Sequence, residues 1–273
     1  MWMRLIMVEM LSRPRWWRWV GVLGFLFLYL CYQTIQVVFR LRVEQADTLN
    51  LWHLVAEVFM GPSLHPSVYE VLGWVSLPAA FLVAMGEPFS LLAIPWERMI
   101  LIRLPHRLGY WTGKIAAWLL AGWLYCLLAF ALTAVVALGL SPSSISKTLP
   151  PYLIVGDRFI SGPGLPVLAW VFVGVLVTNW WSAIFLFFLS PALKQPGMAT
   201  VWTILLNTFL VALAGTSPFA ARLLGPVAGP VLLAQALGPE LAPSSFLAAG
   251  CLACSWLVAA GVAGYLVFRR RLF

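Results

Sequence analysis

The chain has 273 residues, of which 62% are hydrophobic and only 10% charged, with a formal net charge of +8. An ordinary soluble domain carries roughly 25% charged residues, and no soluble interior hides this much apolar surface at a mean hydropathy of +0.94. Composition therefore excludes a soluble enzyme and makes the lipid bilayer the solvent. The pI near 9.7 does not indicate nucleic acid, because no basic stripe occurs away from the ends of apolar segments.

The first element in chain order is "MWMRLIMVEMLS", which mixes large apolar residues with Arg4 and Glu9. It reads as a short helix lying in the membrane interface over residues 1–18, closed by Pro14. No small-x-small cleavage site follows, so a removable signal is not expected. Apolar stretches then predict six spans, at about 19–39, 69–86, 115–139, 167–189, 199–217 and 245–268. Each approaches the roughly 20 residues needed to cross the hydrocarbon core. The second span contains Pro78 and is expected to be tilted or discontinuous. The outside loops are rich in helix breakers, and residues 218–243 are apolar enough to re-enter the membrane where protein buries them. The expected architecture is an all-α integral membrane protein, with residues 1–273 forming a single transmembrane domain.

The basic residues set the expected orientation. With the N-terminus in the cytoplasm, Arg4, Arg13, Arg15, Arg18, Arg98, Arg103, Arg107, Lys114, Lys194 and Arg269 to Arg271 fall inside. Arg40, Arg42, Lys147, Arg158 and Arg222 fall outside. The excess of Lys and Arg on one side predicts that both termini face the cytoplasm, with the chain in the cell membrane.

Several chemistries lack their parts. No predicted span carries Asp, Glu, Lys, Arg or His, apart from Glu70 at the edge of the second, so mid-membrane ion coupling is not expected. Neither HExxH nor GxSxG is present. Cys251 and Cys254 have redox or metal spacing, but no second pair and no histidine accompanies them, so no metal site and no catalytic residue is assigned. The stretch "GYWTGK" resembles a phosphate loop, yet its spacing is one residue short. Ile115 also stands where a magnesium-binding hydroxyl belongs.

The polar residues that do sit in spans are few. Tyr29, Gln33 and Gln36 share one face of the first span. Asn179 lies in the fourth and Asn207 in the fifth. Interhelical hydrogen bonding is the favoured reading, since an amide facing lipid would be unsatisfied. The alternative is that these residues line a path for an amphipathic substrate.

Residues 87–125 carry one further pattern. Glu97-Arg98 is followed by apolar Met99 to Ile102, then Leu104-Pro105-His106-Arg107, then Gly113-Lys114 at the start of span three. This order resembles the permease subunits of type-2 ABC exporters. The resemblance implies a cytoplasmic coupling helix between spans two and three, at about 87–113. It assigns Glu97, Arg98, Arg103, Pro105, His106 and Arg107 to ATPase coupling, and Gly109, Gly113 and Lys114 to the beginning of span three. It also implies a second permease subunit, identical or not, and a cytoplasmic ATP-binding subunit that carries ATP and magnesium. This chain would then hold no cofactor, catalyse nothing alone, contact only lipid and protein, and move an amphipathic or apolar substrate. The family usually has serine or a similar residue at the position of His106, and the loop at 40–68 is longer than the family's pattern. Two other classes stand beside this one: the ligand-capturing membrane subunit of a vitamin-uptake system, and a membrane enzyme acting on lipid or quinone.

The residues also fit that role on their own chemistry. Pro105 breaks the helix so that the chain can turn. Gly109 and Gly113 are spaced for close helix packing, and Lys114 is expected to reach the interface along its apolar stem.

Overall fold

The computed structural model describes residues 13–43, 49–86, 107–140, 145–154, 161–193, 197–229 and 243–272. The chain order is α1 (Arg13–Val43), β1 (Leu49–Asn50), α2 (Leu51–Val58), α3 (Val68–Met85), α4 (Arg107–Leu140), β2 (Ile145–Ser146) and β3 (Tyr152–Ile154). It continues with β4 (Ser161–Pro163), α5 (Gly164–Leu189), α6 (Met198–Ala214), α7 (Pro218–Ala228) and α8 (Pro243–Leu272). Among the described residues helices dominate, and the four strands there are only two or three residues each.

Among the described residues, four helices are long and apolar enough to cross a bilayer: Trp17–Phe39, Val68–Met85, Leu108–Leu140 and Gly164–Leu189. Met198–Ala214 and Leu257–Val267 are shorter apolar helical stretches. Large apolar side chains such as Phe25, Leu28, Phe39, Phe209 and Val258 remain exposed, as expected where lipid replaces water. Helix α5 is the hub and touches α2, α3, α4, α6, α7 and α8. The core therefore lies between α5 and its neighbours. There Trp118 meets Phe187 edge-on at 5.2 Å and Phe81 at 6.2 Å.

Two expectations change at the start of the chain and in span two. Residues 13–18 do not belong to a separate interfacial helix. They begin the 31-residue α1, and Pro14 sits in its first turn, where a missing N–H breaks no bond. Residues 1–12 lie outside the described residues. Helix α3 is continuous despite Pro78. A proline removes one backbone donor, here the one that would bond the Trp74 carbonyl, and crowds the preceding turn; side chains bond carbonyls close by. Tyr29 and Ser76 hydroxyls each donate to the Gly73 carbonyl at 2.7 Å. The Tyr125 hydroxyl donates to the Leu77 carbonyl at 3.0 Å. Two of these donors come from α1 and α4, so the weak point of α3 is also where its neighbours are tied to it. Tyr125→Phe should lower stability by roughly 0.5–1.5 kcal/mol, read from thermal unfolding in detergent.

The end of the bundle where α1 finishes and α3 begins is closed by loops. Strand β1 pairs in parallel with β2, and β3 pairs antiparallel with β4. Asn50 caps α2 by accepting from the Trp52 backbone N–H at 2.9 Å and donates to the Thr148 carbonyl at 2.8 Å. The Trp52 indole donates to the Lys147 carbonyl at 3.1 Å. Phe59 then stacks on Phe130 at 4.2 Å. The segment 40–68, expected only as a long loop, thus contains a docked helix. Residues 218–243 begin with α7, capped by Ser217; residues 230–242 lie outside the described residues.

Candidate substrate groove

A cavity of about 640 Å³ opens between α1, α2 and α3, within the range of roughly 300–1,000 Å³ typical of small-ligand sites. Helix α1 contributes Tyr29, Gln33 and Gln36, the three residues predicted to share its face. Helix α3 brings Tyr69, Glu70, Trp74 and Ser76, and α2 brings Glu57. A Cβ on Gly73 would stand 3.6 Å from both the Gln33 amide nitrogen and the Tyr29 hydroxyl.

The groove's walls are held from behind. Trp74 is 5% exposed and lies between two glycines in left-handed backbone, Gly61 at φ +80° and Gly229 at φ +91°. Added Cβ atoms would come within 3.2 Å and 2.7 Å of its ring, respectively. Glu70 is fixed by serines. Its carboxylate accepts from the Ser63 backbone N–H at 3.3 Å, the Ser63 hydroxyl at 3.2 Å and the Ser67 hydroxyl at 3.3 Å. Ser67 in turn caps α3 by accepting from the Glu70 backbone N–H. This is the reciprocal logic of Ser-x-x-Glu at a helix start. Glu57 is buried at 8% exposure, while Glu70 is exposed at the mouth.

The other two predicted path residues lie elsewhere. Asn179 donates to the Val175 carbonyl at 2.9 Å and toward Cys126 Sγ at 3.4 Å, linking α5 to α4. Asn207 donates to the Ser182 hydroxyl at 2.7 Å, and Ser182 donates to the Thr178 carbonyl at 2.8 Å, linking α6 to α5. Neither asparagine lines the groove; their bonds are those of interhelical contacts. The amide oxygens of both are buried without a hydrogen-bond partner among the described residues.

At the opposite end of the bundle, α4 starts at Arg107. Glu97, Arg98, Arg103, Pro105 and His106 lie outside the described residues, so the predicted coupling segment is placed only from Arg107 onward. Gly113 is buried and Gly109 half-buried. Lys114 does not reach out to the interface. It is 1% exposed, with its ammonium 5.1 Å from the centre of the Tyr110 ring. A short helix contact nearby is made by a different glycine. A Cβ on Gly264 of α8 would meet Trp111 at 2.9 Å and the Phe188 backbone at 3.4 Å. Cys251 and Cys254 are both free and exposed, and no cluster of three potential metal ligands occurs among the described residues.

Reasoning from the sequence missed Glu57, Tyr69, Trp74 and Ser76. The signal for Glu57 was present in "LWHLVAEVF", where Leu51, Leu54, Val55 and Phe59 mark one buried helical face. The convergence of α2 and α3 on α1 had no local signature. Compared with family models, curated proteins and solved structures, the chain matches none.

Proposed function

We propose that this chain is the membrane-spanning permease subunit of an ATP-driven exporter. In this reading it crosses the cell membrane six times with both termini in the cytoplasm. It pairs with a second permease and docks on a cytoplasmic subunit that binds ATP and magnesium. The substrate is amphipathic or apolar.

One observation carries the reading beyond the residue pattern at 97–114. Helix α4 runs unbroken for 34 residues from Arg107, about 51 Å at ~1.5 Å per residue. The hydrocarbon core is about 30 Å thick. Its first turns therefore extend beyond the core or tilt strongly, and they form one rod with the span. A push delivered near Arg107 would travel into the bundle without a hinge. Trp111, Trp118 and Gly122 along that rod pack on α5 and α8: Trp111 lies 5.4 Å from Phe187 and 6.3 Å from Tyr265, and the Trp180 indole donates to the Leu119 carbonyl at 2.8 Å. Movement of α4 would thus be passed to the hub.

The test is co-purification with a nucleotide-binding subunit, with ATP turnover that depends on the complex. Glu97→Ala and Arg107→Ala should each weaken assembly or turnover several-fold. If both variants assemble and turn over like the wild type, the coupling assignment is wrong.

A second reading is favoured by the groove being formed in the single chain: a capture subunit of an uptake system. It predicts tight binding of a small vitamin-like ligand by the isolated chain, with no nucleotide required. An enzyme using Cys251 and Cys254 would lose activity in Cys254→Ser.

A further inference from the structure

We infer that the groove between α1, α2 and α3 binds a cationic amphiphile, an alkyl- or arylammonium group carried on an apolar body. The inference names the substrate class for the permease reading and rests on that reading only for the claim that the ligand is transported.

Charge and ring chemistry both point the same way. Among the described residues, the lining contains two carboxylates, Glu57 and Glu70, and no lysine, arginine or histidine. In a chain of net charge +8, a described wall whose only charged side chains are carboxylates is the reverse of the average surface. Four aromatic side chains, Tyr29, Tyr32, Tyr69 and Trp74, share the lining. Aromatic faces attract cations through their quadrupole, most strongly where water is scarce. An anion would meet the same carboxylates as repulsion, and a neutral apolar ligand would leave Gln33 and Gln36 unused. A cation with an apolar body uses all of these groups.

The parts are arranged in depth. Glu70 and the exposed Tyr69 and Tyr32 stand at the mouth. Glu70 is oriented by Ser63 and Ser67, and it makes no ion pair with a basic side chain among the described residues. The buried Trp74 and the half-buried Tyr29 form the deeper wall. Trp74 is pressed into position by Gly61 and Gly229, so its ring is preorganised rather than recruited. Near the mouth Tyr32, Tyr69 and Leu72 are all exposed, which gives a route from the acyl region of a leaflet. Both a free amphiphile and the choline headgroup of a lipid carry the required ammonium.

The experiment measures equilibrium binding of radiolabelled tetraphenylphosphonium to the full chain in nanodiscs of phosphatidylglycerol, with tetraphenylborate as the anionic isostere and tetraphenylmethane as the neutral one. The inference expects saturable binding of the cation, no saturable binding of the other two, and about tenfold weaker binding in Glu70→Gln. Glu70→Gln keeps one oxygen that can accept from Ser63 and turns an NH2 toward the Ser67 hydroxyl oxygen, to which it can donate, so the fold is expected to survive; an unchanged melting temperature checks this. Trp74→Phe should weaken cation binding while sparing the fold less well, and it serves as the second variant. Discs of phosphatidylcholine separate the two sources. Competition by that lipid assigns the site to a headgroup, and undiminished binding assigns it to a free amphiphile. Equal binding of cation and anion by the wild-type chain, or full cation affinity in a folded Glu70→Gln, overturns the inference. That result leaves the exporter reading to its own ATPase test. Selective cation binding by a chain that recruits no ATPase would instead remove the exporter reading alone.

Discussion

Gly229→Ala should lower the unfolding free energy by roughly 2–6 kcal/mol. Two effects add. Gly229 has φ +91° and ψ 171°, a region essentially closed to residues with a Cβ, at roughly 1–3 kcal/mol. The new Cβ would also stand 2.7 Å from the Trp74 ring, and overpacking of this kind typically adds about 1–3 kcal/mol. The ring has little room to yield, since Gly61 closes its other side at 3.2 Å from an added Cβ. Gly24→Ala is the control. It lies in helix α1, and a Cβ there meets nothing within 4 Å, so it should be neutral or stabilising by up to about 1 kcal/mol. Thermal unfolding in detergent, followed by near-ultraviolet circular dichroism, reads both variants. Equal melting temperatures would mean that Trp74 is not clamped as described.

Thr112→Pro is expected to have the largest effect on function. Thr112 is exposed on the second turn of α4, and its hydroxyl bonds back to the Leu108 carbonyl at 2.9 Å. Proline inside a helix removes an N–H bond and kinks the axis at a cost of about 3 kcal/mol. The kink would fall between Arg107 and the membrane-crossing part of the rod. On the permease reading, the ATPase subunit still binds, but substrate-stimulated ATP turnover falls by tenfold or more, about 1.4 kcal/mol or greater in coupling. Thr112→Ala removes the same hydroxyl and keeps the helix, so it should turn over like the wild type. Equal loss in both variants would place the effect in the hydroxyl instead of the rod.

Much of the helical frame was legible because apolar length is a long-range signal written locally. The second, third and fourth predicted spans fall on α3, α4 and α5, shifted by a few residues or extended at one end. What failed were judgements that depended on neighbours. Pro78 suggested a broken helix, and nothing near it announced that Tyr29 and Tyr125, 44 and 48 residues from the carbonyls they bond, would supply hydroxyls. Lys114 was read as an interface anchor from its position at a span end. Its burial depends on Tyr110 and on the packing of α4 against the hub. The candidate groove was half legible. Tyr29, Gln33 and Gln36 follow from helical periodicity, whereas Glu57 and Trp74 join them only through the docking of α2 and α3. Asn179 and Asn207 share composition with the groove residues but not location, since amide chemistry alone does not distinguish a helix contact from a path.

The central claim is that force enters this chain from an ATP-hydrolysing partner and moves a ligand held between its helices. The most direct measurement is transport by the purified complex in proteoliposomes, using radiolabelled tetraphenylphosphonium with and without ATP on the side of the ATPase subunit. The account predicts ATP-dependent movement of the cation across the bilayer, abolished by Thr112→Pro and reduced in Glu70→Gln. Purification of the chain from its native membrane without any nucleotide-binding subunit, together with ATP-independent retention of the ligand, would contradict it.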